Sequence, residues 1–180
     1  MKKLQVIGIG NRIMGDDGIG VYIVEELIKQ NFLHNIESVS VKTDISIEFT
    51  VEESDINIEY VVGETDFDYC LDCLDNQSSV IIIDSSISGN KPCTVTEFNI
   101  TDMVSNNMFL CTSMLSAHNN SIIEAAIMML NHCHFMIIGI EPEIVDFRLG
   151  LSDTLKTSFS DIVEDVKKII LKRVKQYLNK

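Results

Sequence analysis

Apolar residues gather in short unbroken runs early and midway along the chain, and in a stepped pattern at its end. Lys3 to Ile9 is one run, and Ser79-Val-Ile-Ile-Ile-Asp84 and Phe135-Met-Ile-Ile-Gly-Ile140 repeat it. β-Branched runs of this length predict strands covered on both faces, and so a parallel sheet. Past the first run the period changes. Ile23 and Leu27, then Val24 and Ile28, stand four apart while Glu25, Glu26 and Lys29 face away, which predicts a helix from Gly18 to Gln30. At the end, Leu155, Phe159, Ile162, Val163, Val166, Ile169, Ile170, Val174, Tyr177 and Leu178 advance in threes and fours. That is a long amphipathic helix, and Ser152 or Asp153 can cap it.

The intervening segments complete the pattern. Val95 to Phe98 reads as an edge strand and Asn119 to Leu130 as an apolar helix. Residues 37 to 60 alternate apolar and polar, which predicts one or two antiparallel extra strands, arranged as a hairpin. Strands alternating with helices, joined by right-handed crossovers, give an α/β fold: three-layer α/β/α with a mostly parallel central sheet. No linker or repeat divides the 180 residues, so a single domain over 1–180 is expected.

Composition narrows the function classes. The chain is 46% hydrophobic and 23% charged with two prolines, as an ordinary globular protein is. No apolar run approaches the roughly 18–20 residues of a membrane-spanning helix. The opening "MKKLQVIGIGN" meets glycine and a polar residue too soon for a secretion signal, so a cytoplasmic protein is expected. Net charge is −13, and the residues after Asp165 hold six of the fourteen basic side chains and no acidic one. The rest of the surface therefore repels phosphate, which argues against nucleic acid and against an anionic membrane. Five scattered cysteines predict reduced thiols. Cys70-Leu-Asp-Cys73 has redox spacing, but it lies in a predicted helix with no helix-opening turn ahead of it. We therefore read both as buried or half-buried thiols, and the second pair that a zinc site needs is missing.

The stretch Gly8 to Gly20, "GIGNRIMGDDGIG", links the first strand to the first helix. Ile13 stands where a dinucleotide fingerprint needs its third glycine, and the Gly-Lys-Ser/Thr of an ATPase loop is absent. Asp16 and Asp17 would also repel a pyrophosphate. Taken alone, either aspartate reads as a helix cap. Position changes the weighing, because ligands of open parallel sheets bind at the carboxyl ends of the strands. Asp17 lies just past the first strand, Asp84 ends the second apolar one, and His118 opens the predicted helix "HNNSIIEAA". Asp84 alone reads as an Asp-turn, and His118 alone as a capping residue. Together, two carboxylates and an imidazole on one rim are oxygen and nitrogen donors suited to a borderline divalent metal. His132 and His134, on either side of Cys133, read as loop residues. A Gly-x-Ser-x-Gly elbow is absent, Ser116 near His118 has no orienting acid, and Cys111 with His118 has no further support.

These residues carry a resemblance. "GIGNRIMGDDGIG", "VIIIDSSI", "SAHNNSIIEA" and "GIEPEIVDF", in that order, resemble the motifs of the hydrogenase maturation endopeptidases, and most of all the subgroup serving hydrogenase 3. The resemblance covers nearly the whole chain. It implies a phosphorylase/hydrolase-like fold and an aspartyl endopeptidase that removes the C-terminal extension of a nickel-iron hydrogenase large-subunit precursor after nickel insertion. Asp17, Asp84 and His118 then fall on the family's metal-contacting positions, Asp17 being fixed by counting from Gly10-Asn11. The implied metal is nickel, that of the substrate included, with zinc or cadmium able to substitute. The implied partner is the precursor, met by a monomer. Two features depart from the family pattern. Gly63-Glu64-Thr65 has Glu64 in place of a glycine, and Glu37 to Asn57 is an apparent insertion. Two other readings compete: a non-catalytic nickel-binding assembly factor or metallochaperone, and a nucleotide-binding module on the same fold, which the acidic loop disfavours.

Overall fold

The computed structural model describes residues 2–33, 39–42, 46–51, 56–74, 79–99 and 134–178. The elements, in chain order, are β1 (Lys2–Ile9), a 3-10 turn (Gly15–Gly18), α1 (Ile19–Lys29), β2 (Val39–Lys42), β3 (Ser46–Val51), β4 (Ile56–Glu64), α2 (Phe67–Cys73), β5 (Ser79–Ser85), β6 (Val95–Asn99), β7 (His134–Ile140) and α3 (Asp153–Leu178). The strands form one sheet in the order β2-β3-β4-β1-β5-β7-β6. β4, β1, β5 and β7 run parallel, and the antiparallel strands β3 and β6 border them on either side.

The apolar runs account for the core. Along β1, Leu4 and Val6 point to one face and Ile7 and Ile9 to the other, as strand alternation requires. On the first face α1 and α3 cover the sheet through Ile19, Ile23, Val24, Leu27, Leu155, Ile162, Val166 and Ile170, all buried. On the second, Cys70 of α2 packs with Ile7, Ile9, Val61, Val80 and Ile82. At about 1.5–3 kcal/mol for each fully buried aliphatic side chain, the two clusters supply the dominant favourable term of the fold. Ser152 caps α3, its hydroxyl accepting from the Leu155 amide at 3.2 Å. Burial pushes the Cys70 thiol up to about 12, which fits a packing role better than a redox one.

Three expectations need correction. The alternating segment 37–60 is not wholly an addition beside the sheet: β2 and β3 form the antiparallel hairpin, but Ile56 to Tyr60 belong to β4, a central strand paired with β1. Its polar residues misled the pattern, because Glu59 is buried by accepting from Gln5 Nε2 at 2.6 Å and pairing with Lys3 at 3.0 Å. His134 is the first residue of β7 and not a loop residue. Neither aspartate of the glycine loop is the cap of α1: Gly18 holds that place, and among the described residues the cap has no side-chain hydrogen bond. The predicted helix Asn119 to Leu130 lies outside the described residues, as do Cys111, Ser116, His118, His132 and Cys133.

Candidate active site

The loop after β1 reaches the carboxyl ends of the strands by hugging them. Gly20 opens α1 so close to the sheet that a Cβ there would lie 2.1 Å from the Ile83 carbonyl oxygen and 2.5 Å from that of Ile9. Gly10, at φ +132°, passes Asp17 so tightly that a Cβ would lie 1.9 Å from its carbonyl oxygen. The Gly10 amide donates to the Glu64 carbonyl at 3.0 Å, joining the loop to the end of β4. Glu64 itself takes the left-handed conformation, φ +48°, which costs a non-glycine residue about 1–2 kcal/mol. Its carboxylate pairs with Arg12 Nε at 3.0 Å, and Arg12 also forks onto Glu25 at 2.6 and 2.9 Å.

The adjacent aspartates have separate tasks. Asp16 is fully buried, and its carboxylate accepts three backbone amides from the loop between β7 and α3: Glu143 at 3.0 Å, Ile144 at 2.9 Å and Ser152 at 2.6 Å. All its bonding is spent on holding that loop. Asp17 turns instead toward the strand ends. Its Oδ2 accepts the Asn11 amide at 3.0 Å, and its Oδ1 accepts the Ser85 hydroxyl at 2.8 Å. Ser85 follows Asp84, so these bonds bring the loop aspartate beside the aspartate that ends the apolar part of β5.

Asp84 is 1% exposed. Burial first, and the charge of Asp17 second, hold its carboxyl well above the usual carboxylate range, against a smaller opposing effect of the Ser85 amide. A buried acid raised by a second carboxylate is an arrangement found at functional sites far more than in packing cores. The donor set also suits a cation, which would relieve the repulsion between the two carboxylates. Among the described residues, no group of three or more His, Cys, Asp or Glu side chains could hold a metal ion. His118 lies outside those residues, so the structure brings together Asp17 and Asp84 and leaves the third member of the trio without a described position.

Sequence reasoning missed Ser85 and Glu141. Glu141, 6% exposed, accepts the Ser88 and Gly89 amides at 2.9 and 3.1 Å and ties the segment after β5 to the end of β7. The signal for Ser85 was a hydroxyl residue directly after the aspartate of a central strand, at the sheet edge where ligands bind. For Glu141 the trace was an acid directly after an apolar run, inside the segment "GIEPEIVDF", with no sign there of which amides it would accept.

The family model described as hydrogenase maturation protease matches residues 39–169. A Methanocaldococcus jannaschii protein provisionally named a hydrogenase maturation protease is 26% identical over 171 residues, which are 94% of this chain and 89% of that protein. Among solved structures, the [NiFe] hydrogenase maturation protease HybD of Thermococcus kodakarensis superposes with TM-score 0.64 at 20% identity, covering 94% of this chain and 99% of its own. The HycI protease of the same organism gives 0.62 at 16% identity, covering 97% and 93%. The Escherichia coli maturating endopeptidase HybD gives 0.62 at 23% identity, covering 92% and 90%. These likenesses share the three-layer α/β architecture, and their nearly equal scores for HybD and HycI types do not single out the hydrogenase 3 subgroup.

Proposed function

The chain belongs to the hydrogenase maturation protease family, and from that premise we propose that it is an endopeptidase that removes the C-terminal extension of a nickel-iron hydrogenase large-subunit precursor after nickel insertion. The observation that carries this reading is the meeting of Asp17, from the loop after β1, with Asp84 at the carboxyl end of β5, where Ser85 bonds Asp17 and the like charge of Asp17 helps to raise the Asp84 carboxyl.

In this reading Asp17, Asp84 and His118 contact the nickel that the precursor presents. That metal, as part of the substrate, supplies Lewis acidity toward the scissile carbonyl or a water. The chain's own residues position and shelter. Asn11 and Ser85 fix both oxygens of Asp17, so its carboxylate meets the cation in one orientation and with little reorganisation. Burial around Asp84 keeps water away and strengthens the field between the two carboxylates. A site with too few ligands of its own binds a free cation weakly, and a precursor that already holds nickel contributes the remainder. Cleavage then reports that insertion is complete.

A nickel-binding assembly factor would use the same carboxylates without cutting. Incubating the protein with nickel-loaded and nickel-free precursor, and weighing the precursor by mass spectrometry, separates the two. The proposal expects one discrete C-terminal loss from the loaded precursor. An unchanged mass would favour the assembly factor.

A further inference from the structure

The loop between β7 and α3 is held at many points, yet it exposes large apolar side chains beside the site. Its backbone is fixed by the three bonds to the Asp16 carboxylate, by Gly15 N to Arg148 O at 3.0 Å, by Asp16 N to Ile144 O at 3.0 Å, and by Arg148 N to Ile13 O at 3.1 Å. Met14 and Arg148 form a parallel bridge between this loop and the glycine loop, two residues before Asp16. Arg148 lies back across Gly15, its Cγ 3.1 Å from where a Cβ would be. By alternation its neighbours turn the other way. Phe147 is 78% exposed, Leu149 82% and Ile13, across the bridge, 47%.

A floppy loop can expose apolar groups at little consequence; a loop braced by a fully buried carboxylate holds the backbone that carries them in one arrangement. A backbone fixed in advance does not have to be ordered on contact, so the cost left to binding is that of the side chains alone, which favours an anchor for a partner. The charges around the patch say which partner. Arg12 is taken up by Glu25 and Glu64, Lys156 by Asp153 at 3.4 Å, and Arg148, the loop's own cation, is turned back across Gly15, while Glu143 and Asp146, the loop's two exposed acids, have no cation paired to them among the described residues. A second copy of this chain, docked through the same patch about a two-fold axis, would set these acids against themselves on a protein of net charge −13. A peptide segment with apolar residues between lysines or arginines meets no such repulsion.

We propose that Ile13, Phe147 and Leu149 form a docking platform for an apolar, Lys/Arg-flanked segment of the large-subunit precursor. It delivers the scissile region to the Asp17–Asp84 rim, which the same loop adjoins, and it rests on the protease reading above.

The test compares the parent protein, the double variant Phe147→Ser/Leu149→Ser and the single variant Asp146→Lys in steady-state processing of nickel-loaded precursor. The double variant should raise KM about tenfold or more with kcat within about twofold, as loss of an interfacial anchor does. Its melting curve should match the parent's, because both side chains are exposed. Asp146→Lys should raise KM and flatten its dependence on salt. An unchanged KM in the double variant would overturn the platform. So would a parent dimer that the double variant converts to monomer while KM stays constant. If the parent cuts no precursor at all, the protease reading fails separately, and calorimetric binding of the precursor decides the platform: binding by the parent and not by the double variant supports it, and equal binding refutes it.

Discussion

Ser85 donates its hydroxyl to Asp17 Oδ1 at 2.8 Å across 68 residues of sequence, and so ties the glycine loop to the end of β5 at the point where the two carboxylates meet. With the Asn11 amide on Oδ2, neither oxygen of Asp17 is free to swing. Ser85→Ala should therefore lower the processing rate about tenfold, the worth of one hydrogen bond of about 1–1.5 kcal/mol, while the circular dichroism spectrum stays the same. A rate equal to the parent's would show that the hydroxyl does not orient Asp17.

Asp16 and Asp17 should fail in opposite ways. In Asp16→Asn the new amide group faces backbone N–H donors where an acceptor is needed, so urea unfolding should show a loss of about 2–3 kcal/mol. Asp17→Asn should unfold near the parent midpoint and process nothing. Reversed phenotypes would mean that the roles are exchanged.

Asp84 should make the fold less stable as pH rises. Its folded carboxyl holds a proton to higher pH than in the unfolded chain, so between the ordinary carboxylate range and the raised folded value the folded state binds more protons than the unfolded one. Stability contributed by the neutral form is thus fully present at low pH and is lost as pH rises through that window. Asp84→Asn should remove this loss, gaining stability over the parent at pH 8 more than at pH 5 in paired urea titrations, while abolishing processing. An equal difference at both pH values would contradict the raised carboxyl.

Gly20→Ala reverses the usual helix rule. Alanine normally stabilises a helix interior by about 1 kcal/mol over glycine. Here the added methyl meets the Ile83 and Ile9 carbonyls at the start of α1, so calorimetry should show a lowered melting temperature. A raised one would mean that α1 stands further from the sheet.

The legible parts of this molecule are those fixed by local pattern. β1, β5, β7 and α3 stand where unbroken apolar runs and a stepped helix put them, because burial on two faces or one stripe leaves its mark in consecutive residues. β4 escaped because the burial of Glu59 is made acceptable by Gln5 and Lys3, partners on another strand. Asp17 and Asp84 were visible as acids at strand ends. The division of labour between Asp16 and Asp17 was not, since the amides that saturate Asp16 come from residues 127 to 136 positions away. Glu64 stood out only as a departure from the family's glycine, and its left-handed backbone gives that departure a cost.

The most direct test of the central claim weighs nickel-loaded precursor after incubation with the parent protein, Asp17→Asn and Asp84→Asn side by side, each first shown to be folded by its melting curve. The account predicts loss of a single C-terminal fragment with the parent and full-length precursor with either variant. Shortening at the parent rate by either variant would contradict it.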